Sequence, residues 1–105
     1  MKYQGTLLVV DDFELNRDML SRRLASRGFT VHSADCGVSA LEMVTSVPKL
    51  DLVLLDIMMP DLDGYEILER IRRTHTSSEL AIMMVTAKDQ SEDIVKALKI
   101  GRAHV

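Results

Sequence analysis

The residues of this chain best suited to chemistry are three aspartates. Asp11 and Asp12 stand side by side after the apolar run LLVV (7–10), and Asp56 closes a second apolar run, LDLVLLD (50–56). Each acid at the end of a buried strand is costly to desolvate. Two carboxylates about 4 Å apart repel by roughly 4 kcal/mol at an effective dielectric near 20. If the fold brings these groups together, something positive must sit between them. An adjacent Asp pair taken alone is usually a solvated turn; its place after one buried run, with Asp56 ending another, points instead to a cation site.

The elements that would position these acids follow from hydrophobic periodicity. TLLVV (6–10) is a continuous apolar strand closed by charge. Residues 13–27 carry two apolar pairs spaced by four, Leu15/Met19 and Leu20/Leu24, on helix faces about 140° apart, with Gly28 ending the helix. FTVHSA (29–34) is a short strand, and Ala40, Leu41, Val44 and Val47 mark a second helix ended by Pro48. LDLVLLD is the strongest strand. MMPDLDG (58–64) is turn chemistry, with Asp63 and Glu66 forming a capping box for a third helix through Ile67, Leu68 and Ile71. LAIMMVT (80–86) is a fourth strand, and Asp89 to Gly101 a fourth helix.

Composition bounds the rest. At 105 residues, 47% hydrophobic and 28% charged, the chain suits one compact domain with one core, spanning 1–105. A net charge of −3 gives no basic footprint for direct nucleic-acid binding, and Arg22-Arg23 and Arg72-Arg73 read as solvated helix faces. The single cysteine, Cys36, rules out an internal disulfide and fits a reducing, cytoplasmic setting. No apolar run is long enough for a signal peptide or a membrane span. His32, His75 and His104 lack metal-ligand spacing.

Strands alternating with helices, and lacking a polar face, predict an α/β fold: a parallel sheet covered on both sides, doubly wound in the flavodoxin-like order 2-1-3-4. In such sheets ligands bind beyond the carboxyl ends of the strands, where the strand order reverses. That crevice lies between the first and third strands, so Asp11, Asp12 and Asp56 should converge there. Mg²⁺ fits such a site: a hard cation that takes one or two carboxylates, keeps several waters and reaches for phosphate oxygens.

The segments LLVVDD, LVLLDIMMPDLDGYE and MMVTA, with ADCGVSALE in the second helix, resemble the receiver domain of two-component response regulators across almost the whole chain. The resemblance implies a phosphoacceptor that takes a phosphoryl group from a histidine kinase, or a phosphotransfer protein, and switches an output. It makes Asp56 the acceptor and Thr86 the switch hydroxyl. It assigns Asp12 as a direct Mg²⁺ ligand, Asp11 as a ligand through water, and the backbone carbonyl of Met58 as a further one. The activity implied is self-phosphorylation from phosphohistidine or small phosphodonors, with no turnover.

The family continues with a fifth strand, a Lys-Pro pair and a fifth helix, whereas this sequence runs out at GRAHV. That suggests truncation of a longer gene. It also removes the lysine expected to contact the phosphoryl group, for which Lys88 is wrongly placed. The fourth strand would then be an unpaired edge and one apolar face of the first helix bare, which predicts a homodimer through either or both. The rival reading is a phosphorylation-independent interaction module on the same scaffold. A haloacid dehalogenase-type phosphatase would want Asp-x-Asp after the first strand, and a flavodoxin a hydroxyl-rich loop there; Asp11-Asp12-Phe13 supplies neither.

Overall fold

A computed structural model describes residues 4–57, 59 and 61–85. The fourth helix expected over 89–101, and everything expected beyond it, lie outside the described residues. Within them the order is β1 (Thr6–Val10), α1 (Glu14–Ser26), β2 (Thr30–Ala34), α2 (Gly37–Ser46), β3 (Leu52–Asp56), α3 (Gly64–Arg72) and β4 (Ala81–Val85). All strand pairs are parallel, in the order β2-β1-β3-β4. The predicted flavodoxin-like sheet is therefore present.

The two central strands explain why the apolar runs are continuous. Leu7 and Val9 of β1, with Leu52 and Leu54 of β3, face α1 and meet Leu20 and Leu24. Leu8 and Val10, with Val53 and Leu55, face α2 and α3, where they join Ala40, Val44, Ile67 and Ile71. Both faces of the sheet are thus covered, and no residue of β3 reaches solvent appreciably. The outer strands are less buried. In β2 Thr30 and Ser33 are exposed, and in β4 Ala81, Met83 and Met84 are half-buried.

The sequence left open which face of α1 would be buried. Leu20 and Leu24 are, whereas Leu15 and Met19 stay 64% and 47% exposed. Gly28, at φ +104°, ends the helix by donating its N–H to the Ala25 carbonyl at 3.0 Å. The capping box on α3 forms only in part. Asp63 accepts the Glu66 N–H at 2.8 Å as expected, but the Glu66 carboxylate turns to Arg70, also at 2.8 Å. Arg72, expected on a solvated face, instead donates to the Leu80 carbonyl and so ties the end of α3 to the start of β4.

Candidate metal and phosphoacceptor site

Register places the acids. Along β1 and β3, Leu7 pairs with Leu52 and Val10 with Leu55, so the next residue on each strand is Asp11 on one and Asp56 on the other. Three carboxylates from two separate segments thereby meet at the carboxyl end of the sheet. One oxygen from each of Asp11, Asp12 and Asp56 lies within 4.8 Å of the others. Their environments differ: Asp56 is buried, at 5% exposure, Asp11 is half-buried and Asp12 is exposed.

The loop carrying the Asp pair is braced from two sides. Asp11 Oδ1 accepts the Phe13 N–H at 2.9 Å, fixing the turn that leads into α1, whose N-cap residue Phe13 makes no side-chain cap bond. Arg17, one turn into α1, donates from Nη1 to the Asp11 carbonyl at 2.9 Å. The main chain of Asp11 is also tied to β2 through its N–H and the Ala34 carbonyl, at 3.2 Å.

The segment leaving Asp56 is held as firmly. Ile57 donates to the Val85 carbonyl at 3.0 Å, and Gly64 closes the loop by donating to the Ile57 carbonyl at 2.8 Å. Gly64 sits so close that a Cβ on it would stand 2.8 Å from both the Asp56 carbonyl oxygen and Ile57 Cα. Its value here is the space a side chain would fill. Asp61, an acid within the MMPDLDG turn, reaches 24 residues back to accept the Gly37 N–H at 3.1 Å and then the Val38 N–H at 3.2 Å. These bonds, the Gly37 amide foremost, hold its carboxyl below the ordinary carboxylate range.

Three of the expected site residues are thus brought together. Met58 and Thr86 lie outside the described residues. Sequence reasoning missed Arg17, Asp61 and the packing role of Gly64. Arg17 carries a usable signal, a cation one turn into the helix that follows an Asp pair. Asp61 carries none, because its partners are backbone amides.

An array of three carboxylates at this spacing is a donor set for a hard divalent cation, with oxygen ligands and room for water. Among the described residues, no helix is long and apolar enough to cross a membrane.

Comparison with known proteins bears on this geometry. Residues 7–105 match the response regulator receiver domain family. Response regulator MprA of Mycobacterium ulcerans is 42% identical over 95 residues, covering 90% of this chain and 40% of that protein. The chain therefore spans less than half the length of such relatives. Among solved structures, the N-terminal domain of a response regulator receiver protein from Methanoculleus marisnigri superposes with a TM-score of 0.74 at 35% identity, covering 96% of this chain and 82% of that one. A CheY-like receiver domain protein from Methanospirillum hungatei gives a TM-score of 0.80 at 24% identity, covering 92% and 93% of the two chains, and supports the fold alone. With the family matched from Leu7 to Val105 and the sheet order in agreement, this chain belongs to the response regulator receiver domains of two-component signalling.

Proposed function

We propose that residues 1–105 act as a single receiver unit in which Asp56 accepts a phosphoryl group with the help of Mg²⁺. The observation that carries this reading is the meeting of Asp11, Asp12 and Asp56, one oxygen of each within 4.8 Å of the others. Asp12 and Asp56 would hold the ion directly, Asp11 would hold it through water, and the Met58 carbonyl would complete the protein's share. Bound there, Mg²⁺ would offset the carboxylate charge and that of the phosphoryl oxygens.

The protein's own groups do the rest. Asp56, buried and fixed by the Ile57 and Gly64 bonds, presents a carboxylate oxygen that bonds to phosphorus as the phosphohistidine P–N bond, or the P–O bond of a small phosphodonor, breaks. Asp11 keeps its place because one oxygen is occupied by the Phe13 amide and its carbonyl by Arg17. Thr86 would turn its hydroxyl to the new phosphoryl group and carry the change outward. The donor would be a histidine kinase or phosphotransfer protein in the cytoplasm. Exposed Leu15 and Met19 on α1, together with β4, the outer strand among the described residues, are where a homodimer would form.

Incubation with acetyl phosphate and Mg²⁺, followed by intact mass measurement, tests the reading. One phosphoryl adduct on the native chain and none on Asp56→Asn is expected. An adduct that survives Asp56→Asn would remove the assignment.

A further inference from the structure

Asp61 and Asp63 are two residues apart in one loop, yet they work differently. Asp63 caps its own helix, accepting from Glu66 three residues on. Asp61 turns away to the start of α2, and its two oxygens take one amide each, from Gly37 and Val38. That helix needs the help, since Cys36 at its N-cap offers no side-chain cap bond. An acid at a helix N-terminus satisfies orphan N–H groups and complements the helix dipole.

A second contact backs the first. A Cβ on Gly37 would lie 2.9 Å from Leu62 Cβ and 3.0 Å from Ile67 Cδ1, so the bare glycine is the seat into which Leu62 settles. The loop is therefore pinned by a charge and by a side chain to the same turn of α2. Its two ends are the acceptor, Asp56, and Gly64, whose N–H closes back onto Ile57.

We propose that Asp61 is a positioning residue for the acceptor site: by gripping the N-terminus of α2 it fixes the loop that leaves Asp56, and so sets where the acceptor carboxylate stands relative to Asp11 and Asp12. This rests on the phosphoacceptor reading for its consequence, though the grip itself does not. Loss of the grip should free the 57–64 segment while leaving the sheet intact. The metal site, which needs three carboxylates in register, then weakens even though no ligand has been touched.

Amide hydrogen exchange and Mg²⁺ titration calorimetry on the full chain, compared across Asp61→Ala, Asp61→Asn and Asp63→Asn, test it. In metal-free Asp61→Ala, exchange should rise at Gly37, Val38, Ile57 and Gly64 but not in β1 or β3. Mg²⁺ affinity should fall about tenfold, the low end of what outer-shell partners of a metal site contribute. Asp61→Asn keeps one acceptor oxygen, so it should lose less on both counts; it also provides the comparison if Asp61→Ala does not fold. Asp63→Asn removes the same charge two residues away and should bind Mg²⁺ like the native chain. Unchanged exchange at Ile57 and Gly64 overturns the proposal. So does a loosened loop with native affinity, or an equal loss in Asp63→Asn, which would make the effect one of charge alone. A native chain that binds no Mg²⁺ would count against the phosphoacceptor reading, and metal-free exchange would then decide the grip by itself.

Discussion

β3 has an aspartate at each end, and the two have opposite fates. Asp51 precedes the strand, is exposed, and spends its carboxylate on the Thr6 N–H at 2.8 Å, joining β1 to β3 at the lower edge of the sheet. Asp56 ends the strand, is buried, and meets two further acids. Residue type and strand are the same; what differs is the company. In a parallel sheet every strand delivers its C-terminal residue to the same edge, so acids that end neighbouring strands accumulate there. At the opposite edge Asp51 meets a backbone amide instead of other acids. The lower aspartate is a structural clasp, and the upper one belongs to a cluster of three acids.

Exchanging each acid for its amide should separate these roles most sharply. Asp56→Asn should abolish phosphoryl labelling by acetyl phosphate. Asp51→Asn keeps an acceptor oxygen for Thr6, so labelling should stay at the native level and stability should fall by only about 0.5 kcal/mol in a denaturant titration. Equal labelling losses in the two variants would mean that the two acids do not differ in role.

Gly64→Ala should give the next largest effect. The new Cβ, 2.8 Å from the Asp56 carbonyl oxygen, must push that backbone aside. Overpacking of this kind costs about 2 kcal/mol, or roughly 10 °C in melting temperature for a domain of this size. Labelling should slow as well, because the displaced backbone is that of Asp56, the proposed acceptor. A melt within about 2 °C of native would show that the loop yields freely.

The smallest expected effect concerns acid stability, with one carboxylate near each edge of the sheet. Asp61 at the upper edge is held below its ordinary value of 3.8, first by the Gly37 amide. Glu79 at the lower edge is held below 4.5, first by the Thr76 amide, which it accepts at 2.9 Å. A carboxyl whose folded pKa lies below its unfolded one binds protons more readily in the unfolded chain. Its contribution is therefore complete above the ordinary value and is lost as pH falls through the lower folded one. Melting temperature should drop below about pH 4.5 in the native chain. The drop should be shallower in Asp61→Asn and in Glu79→Gln, each removing one share of it.

Much of this fold was legible because β1 and β3 are apolar on both faces, which only a sheet covered on two sides tolerates. Asp11, Asp12 and Asp56 were legible for the same reason, since they end those runs. Two features were not. Leu15/Met19 and Leu20/Leu24 have the same spacing and similar hydrophobicity, and only the packing of α1 on Leu7, Val9, Leu52 and Leu54 decides between them. The grip of Asp61 joins an ordinary loop acid to amides 23 and 24 residues away, a pairing with no side-chain signature at its far end.

Thermal melts with and without Mg²⁺, on the native chain and on Asp12→Asn, decide whether the three acids meet in order to hold a cation. Without Mg²⁺, Asp12→Asn should be the more stable by roughly 1 kcal/mol, because it removes one of three crowded charges; solvent at exposed Asp12 keeps that figure well below the bare Coulomb value. With Mg²⁺ at about ten times its dissociation constant, the native chain should gain about 1.4 kcal/mol, a rise of roughly 5–10 °C. Asp12→Asn should gain little, so the order of the two melting temperatures reverses. A native chain indifferent to Mg²⁺, or an Asp12→Asn variant that responds as strongly, would show that the three acids do not meet to hold this cation.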